Sequence, residues 1–391
     1  MGKEFVYLLG AGASAGTASS YGDDSMLSKF EEEKNENKIK QVIPSVYNMR
    51  YRVGIMIEKV SSEIEDVIIK RNENTLLLND KKKELINDLK WFHYMLGREP
   101  YVDILAETLY NTSVEEYKKL TNILSLYLIF EQCFNGVDLR YKSFITTLMS
   151  ASKNGNSLPK GVNILSWNYD YQLEEAMVEK RRIFANKESI IEKVLGHIFI
   201  RNSAFFDEVQ KVNKIDFPII KLNGCSATLI DKENSDTVSY IPQLILTSSP
   251  YQYKIEEQKK RLEFIYNIIL EYYLQLKSEI GEHRPSISFA WDKSKQSLSS
   301  TLSKVEFLKT YEVLIVIGYS FPSLNFYIDR VIVSSPFLKN IYVQCLEKDF
   351  KSIESRIMNL CKDNKPTITR VNDVNEFFVP FELQEYIMEY E

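Results

Sequence analysis

Five apolar residues, Phe5-Val-Tyr-Leu-Leu9, run straight into Gly10-Ala-Gly12-Ala-Ser14, and no other stretch limits the fold of this 391-residue chain so strongly. An unbroken apolar run of strand length predicts a strand buried on both faces, the situation of a parallel sheet. Two glycines one residue apart then permit a tight turn and a close backbone approach, so that following amides can face an anion such as a phosphate. The run is not a full dinucleotide fingerprint, because Ala13 and Ser14 lead to Ala15 and Gly16, and it lacks the Lys-Ser/Thr pair of a P-loop ATPase. A strand ending in a turn of small residues, with no ligand, explains the stretch equally well, and the rest of the chain has to decide.

The same arrangement recurs downstream. Gly161-Val-Asn-Ile-Leu-Ser166 reads as a strand, followed by Trp167-Asn168-Tyr169-Asp170 and a helix from about Tyr171. Phe217-Pro-Ile-Ile-Lys221 leads into Leu222-Asn223-Gly224, and Tyr311-Glu-Val-Leu-Ile-Val-Ile317 into Gly318-Tyr319-Ser320-Phe321-Pro322 and another helix. Asn340-Ile-Tyr-Val-Gln-Cys345 adds a further strand, and residues 240 to 246 are expected to add one more. Strand, glycine turn and helix in succession predict an α/β fold with a doubly wound, Rossmann-like parallel sheet. Polar residues at the carboxyl ends of such strands stand where open α/β sheets bind ligands. Locally, Asp170 as a helix cap and Asn168 as a turn hydrogen-bonder explain their turn without a ligand.

Between the first two strands the period changes. Ile55, Ile57, Val60, Ile64 and Val67, then Leu85, Leu89 and Phe92, then Leu120, Ile123, Leu124 and Leu128 recur at helical spacing. Residues 31–159 are therefore expected to form a large, mainly α-helical insertion in a sheet-forming core of residues 1–30 and 160–391. Thr17 to Asp24 reads as a loop beside the glycine turn, Lys29 to Lys40 as a solvated connector, and 251–278 as a long amphipathic helix using Ile255, Leu262, Ile265, Ile268 and Ile269.

A net charge of -5 gives no overall electrostatic reason to bind nucleic acid. No apolar run approaches the roughly 18 residues of a membrane span, and Met1-Gly-Lys-Glu precedes the first strand almost directly, so a cytoplasmic location without membrane attachment is expected. Cys133, Cys225, Cys345 and Cys361 are scattered without ligand spacing, which predicts reduced structural thiols and no metal. His93 and the carboxylates Glu63, Glu65 and Asp66 read as ordinary surface or cluster residues.

Taken in order, Gly10-Ala-Gly12-Ala-Ser14, Asn168-Tyr-Asp170, Leu222-Asn223-Gly224 and Gly318-Tyr-Ser320-Phe321 resemble the sirtuin-like family of NAD-binding proteins. The resemblance spans residues 5 to about 345, with the helical region outside the shared pattern. It implies that Gly10, Ala11, Gly12 and Ser14 bind phosphate or ribose, with Gly318 and Ser320 on the other side of the dinucleotide. Asn168 would position water or the ribose at the scissile carbon, and Asp170 would orient the turn. Tyr319 and Phe321 serve equally well as core aromatics.

Two departures from the family pattern matter. Asn223 stands where the family has His before Gly, and an amide cannot exchange a proton near neutral pH as an imidazole can. A His-to-Asn exchange introduced into the chain, a natural binding protein, and slow hydrolysis relying on Asn168 and solvent each account for that residue. The chain also lacks the four-cysteine zinc module of protein-deacylating sirtuins, which weakens a deacylase reading. The closer likeness is to bacterial sirtuin-like effectors of antiphage defence, which deplete NAD by cleaving it to nicotinamide and ADP-ribose. That likeness implies NAD as substrate, no metal, homo-oligomeric assembly and a HerA-type ATPase as a partner. A noncatalytic NAD or ADP-ribose sensor is the alternative.

Overall fold

The computed structural model describes residues 4–15, 46–68, 75–152, 157–182, 198–200, 219–231, 237–239, 255–277, 283–291, 310–361 and 365–390. The expected Thr17–Asp24 loop, the Lys29–Lys40 connector, the strand at 240–246 and the side chains of Glu63, Glu65 and Asp66 lie outside them.

The first strand, β1 (Phe5–Leu9), is followed by a single helical turn, α1 (Ala11–Ser14). Among the described residues the next helices are α2 (Val46–Ile68), α3 (Thr75–Arg98), α4 (Val102–Thr112), α5 (Val114–Asn135) and α6 (Leu139–Ser150). Then come β2 (Val162–Ser166), α7 (Gln172–Arg182), β3 (Ile198–Ile200), β4 (Ile219–Lys221), β5 (Thr228–Asp231), β6 (Thr237–Ser239), α8 (Ile255–Leu276) and β7 (His283–Pro285). The chain continues through β8 (Val313–Ile317), α9 (Phe326–Val333), β9 (Asn340–Gln344), α10 (Glu347–Leu360), β10 (Thr367–Val371) and α11 (Phe381–Tyr390).

Among the described residues, seven strands form one sheet in the order β10-β9-β8-β1-β2-β4-β3, every pairing parallel, and β6-β5-β7 form a small antiparallel sheet. This is a Rossmann-like α/β fold. Its central strands are apolar along their length because both faces are covered. Phe5, Tyr7 and Leu9 of β1 and Val313, Ile315 and Ile317 of β8 point into one hydrophobic cluster, while Val6, Leu8, Leu314 and Val316 point into another. On the first face the sheet meets Leu89 and Phe92 of α3, Ile123 of α5, Phe144 of α6 and Ile269 of α8. On the second it meets Ile328 and Ile332 of α9 and Ile353 and Ile357 of α10.

The helices between β1 and β2 start and stop on local chemistry. Ser113 caps α5 by accepting from the Glu116 amide at 3.3 Å, and Gly136 ends it at φ 70°. Asp138 caps α6 by accepting from the Arg140 amide at 2.9 Å. Across the core, the Arg52 guanidinium of α2 and the Glu131 carboxylate of α5 form a buried pair at 2.6 Å.

Candidate functional site

Register gathers the four polar turns. Leu9 lies opposite Ser166 on one side and Ile317 on the other, and Ser166 lies opposite Lys221, so β1, β2, β4 and β8 end at one edge of the sheet. The turns are then laced together. The Gly10 amide donates to Ile317 O (3.0 Å), the Gly12 amide to Gly318 O (2.9 Å), the Trp167 amide to Leu9 O (2.9 Å) and the Leu222 amide to Ser166 O (2.8 Å). β1 is flanked by β2 and by β8, so the chain order breaks there, which is the switch point at which open α/β sheets place ligands.

The glycines of two of these turns touch each other. Gly318 has φ 61°, and a Cβ on it would stand 2.2 Å from Ala13 N; a Cβ on Gly10 or Gly12 would stand 2.7 or 2.8 Å from the Gly318–Tyr319 backbone. Their absent side chains therefore serve backbone-on-backbone packing. The amides of Gly10, Gly12 and Ala13 are all engaged within the protein, Ala13 donating to Gly10 O at 2.9 Å. Ala11 and Gly12 themselves are exposed at the rim.

Ser14 points inward to a polar cluster. The Asn168 Nδ2 donates to Ser14 Oγ at 2.9 Å and lies 3.4 Å from the Tyr141 hydroxyl, and the Ser14 and Tyr141 hydroxyls share a hydrogen bond of 2.9 Å. All three residues are buried. Burial, then the neighbouring Asp170 charge, hold the Tyr141 phenol well above its ordinary pKa, so it remains a neutral hydroxyl. Beside it, Arg140 grips Asp138 through two nitrogens and donates to Ala13 O at 2.8 Å.

Asn223 joins from the β4 turn. Its Nδ2 donates to Trp167 O at 3.2 Å, and its buried Oδ1 has no hydrogen-bond partner among the described residues. The turn is braced from behind: Ser288 N donates to Asn223 O at 2.9 Å, and Ser286 Oγ accepts from Cys225 N at 2.9 Å. The Trp167 ring stacks on Tyr319 at 5.9 Å, and the Tyr319 hydroxyl donates to the Asp329 carboxylate of α9. Burial raises the Asp329 carboxyl well above its ordinary pKa, against the lowering effect of Tyr319. Tyr319 and Phe321 are core aromatics of the second hydrophobic cluster.

Asp170 accepts from the Gln172 amide at 3.2 Å at the start of α7, and its carbonyl accepts from Lys221 Nζ. Lys221 also lies 3.4 Å from the Glu174 carboxylate, both fully buried, a distance that makes an ion pair. Burial raises the Glu174 carboxyl although Lys221 opposes it, whereas for Lys221 burial, the largest single effect, is outweighed by the surrounding groups together, Glu174 foremost, and the ammonium is held above its usual pKa. The Cys225 thiol, pushed up to about 12 by burial, is no nucleophile.

Ser320 is exposed and not part of the buried cluster; its carbonyl accepts from Arg356 Nη1 at 2.8 Å. A cleft of about 380 Å³ opens on that side, between the β8 turn and α10, lined by Phe321, Phe326, Asp329 and Arg356 among others. The four turns thus converge, with Ser14, Asn168 and Asn223 on the inner side and Gly318 and Ser320 behind and beyond the glycine contact. Tyr141, Arg140, Lys221 and Glu174 are residues the motif reading missed. Tyr141 did carry a signal, since Tyr141, Phe144, Ile145 and Leu148 share one helical face. Among the described residues no group of three or more His, Cys, Asp or Glu side chains could hold a metal ion.

Fold and site together define a Rossmann-like α/β protein with buried polar turns collected at the carboxyl edge of a parallel sheet. No protein-family model matches the chain, and no curated protein matches it significantly.

Proposed function

We propose that this edge binds NAD and that the reaction it supports is cleavage of the nicotinamide–ribose bond, giving nicotinamide and ADP-ribose, as the sirtuin-like pattern of the four turns implies. The observation that carries the reading is the Asn168–Ser14 hydrogen bond, which joins two motifs 154 residues apart into one cluster. The exposed Ala11–Gly12 rim is the part of the first turn open to a phosphate, and Gly318 and Ser320 would flank the dinucleotide. Asn168 Oδ1 would accept from a ribose hydroxyl or hold the attacking water. Nicotinamide is already a cationic leaving group, so the protein's contribution is to position water and to stabilise the electron-poor ribose carbon with fixed dipoles.

Asn223 limits this chemistry. Its amide can orient a ribose hydroxyl through Oδ1 but cannot take up a proton, so Asn223→His is expected to raise nicotinamide release on the order of 100-fold, the usual worth of a positioned acid–base group. Chromatographic assay of nicotinamide from both purified chains decides; no release from either of two chains that both bind NAD would sink the hydrolase reading, and equal release from both would sink the idea that Asn223 limits it.

The Asn223 Oδ1, without a hydrogen-bond partner among the described residues, favours a second reading, an NAD or ADP-ribose sensor that binds without cleaving. Binding by calorimetry with no nicotinamide release even from Asn223→His supports that reading. An antiphage effector role, homo-oligomeric assembly and a HerA-type ATPase partner belong to the same proposal. Deacylation of an acylated peptide would instead point to the third and weakest reading.

A further inference from the structure

We infer that Tyr141, contributed by the helical segment between β1 and β2, is a positioning residue that sets the direction of the Asn168 amide; the inference rests on the NAD reading of the site. Its hydroxyl is 2.9 Å from Ser14 Oγ and 3.4 Å from Asn168 Nδ2. With Ser14 on one side and Tyr141 on the other, the amide nitrogen is turned toward the protein. Asn168 Oδ1 accepts no hydrogen bond among the described residues, which leaves it as the acceptor presented to a ribose hydroxyl or to water.

The position of Tyr141 is itself fixed. Its ring packs edge-on against Phe377 at 4.8 Å, and Arg140, one residue before it, lies 5.1 Å over the same Phe377 ring while donating to Ala13 O at 2.8 Å. The first turn of α6 therefore holds the carbonyl of Ala13 and the hydroxyl of Ser14 together. The terminal torsion of an Asn side chain is broad and roughly two-fold, so an amide lacking one of its two anchors can turn and present NH₂ where the ligand requires an acceptor. Tyr141 acts on the ligand only through Asn168.

Tyr141→Phe keeps the ring and removes the hydroxyl, and two measurements on the full chain test the inference. In ligand-free protein labelled with ¹⁵N-asparagine, the side-chain NH₂ signals of Asn168, identified by their loss in Asn168→Ala, are expected to shift in Tyr141→Phe. By calorimetry, Tyr141→Phe is expected to weaken NAD binding about 3- to 10-fold, the worth of one net hydrogen bond, and to have no further effect in the Asn168→Ala background. Unshifted signals, or an equal loss of affinity in that background, overturn the inference, because a general packing defect would be additive. If the unaltered chain does not bind NAD, the ligand reading fails and the NH₂ signals alone decide where Tyr141 acts.

Discussion

Gly224 has φ 80°, and a Cβ on it would stand 1.6 Å from Ser286 O, whereas Gly136 has φ 70° and ψ -159° with nothing within 4 Å among the described residues. The two glycines share a positive φ but differ in surroundings. Gly136→Ala is expected to cost about 1 to 3 kcal/mol, the conformational penalty alone. Gly224→Ala adds a clash with the backbone just beyond β7 that braces Asn223, and is expected to cost more than about 3 kcal/mol. Urea denaturation of both variants checks the contrast; similar midpoints would show that the Ser286 backbone yields. The need for glycine at 10, 12, 224 and 318 was legible in the sequence, but its cause at 10, 12 and 318 was not. The sequence suggested room for a phosphate, and the structure shows room for another turn.

At the scale of elements, α9 meets the β8 turn through Asp329 and Tyr319, and that contact makes stability depend on pH. Burial raises the folded-state pKa of Asp329 above the ordinary value, so the folded chain keeps a proton that the unfolded chain has released. Its favourable contribution is complete below the ordinary carboxylate pKa and is lost as pH rises from there through the raised folded value. Asp329→Asn carries no such proton yet still offers the Tyr319 hydroxyl an acceptor. The variant is expected to lose less stability than the parent as pH rises from about 4. Parallel curves from denaturant titrations would show that Asp329 ionises normally; Glu174, whose carboxyl is also raised, retains a slope of the same sign in both chains. None of this was visible locally, since Asp329 reads as an acidic residue in the first turn of a helix and Lys221 as a polar residue at the end of a strand. Each is buried by an element distant in sequence.

Over the whole molecule, one hydrophobic cluster runs from the sheet through the helices that precede β2. Phe5 and Tyr7 of β1 belong to the same cluster as Leu89 of α3, Ile123 of α5 and Ile265 of α8. Helices and sheet are therefore expected to unfold together, so far-ultraviolet circular dichroism and tryptophan fluorescence should give one urea midpoint. Trp91 lies on α3 against this cluster and Trp167 belongs to the cluster on the opposite face, so the fluorescence samples both. Two separated transitions would mean that the helical segment folds as an independent unit.

The sequence by itself determined β1, β2, β4, β8 and β9, the glycine turns and the helical spacing between β1 and β2, because apolar period and the need for glycine act over a few residues. The outer strands β3 and β10 and the small antiparallel sheet were not legible in it, and the order of the parallel sheet with its switch point at β1 arises only once the elements pack. Tertiary structure alone decided that Tyr141 and Arg140 reach the first turn, that Lys221 and Glu174 are buried beneath the second and third, and that Gly318 seats against Gly12. Each of these depends on contacts between elements far apart in the chain, which no local pattern encodes.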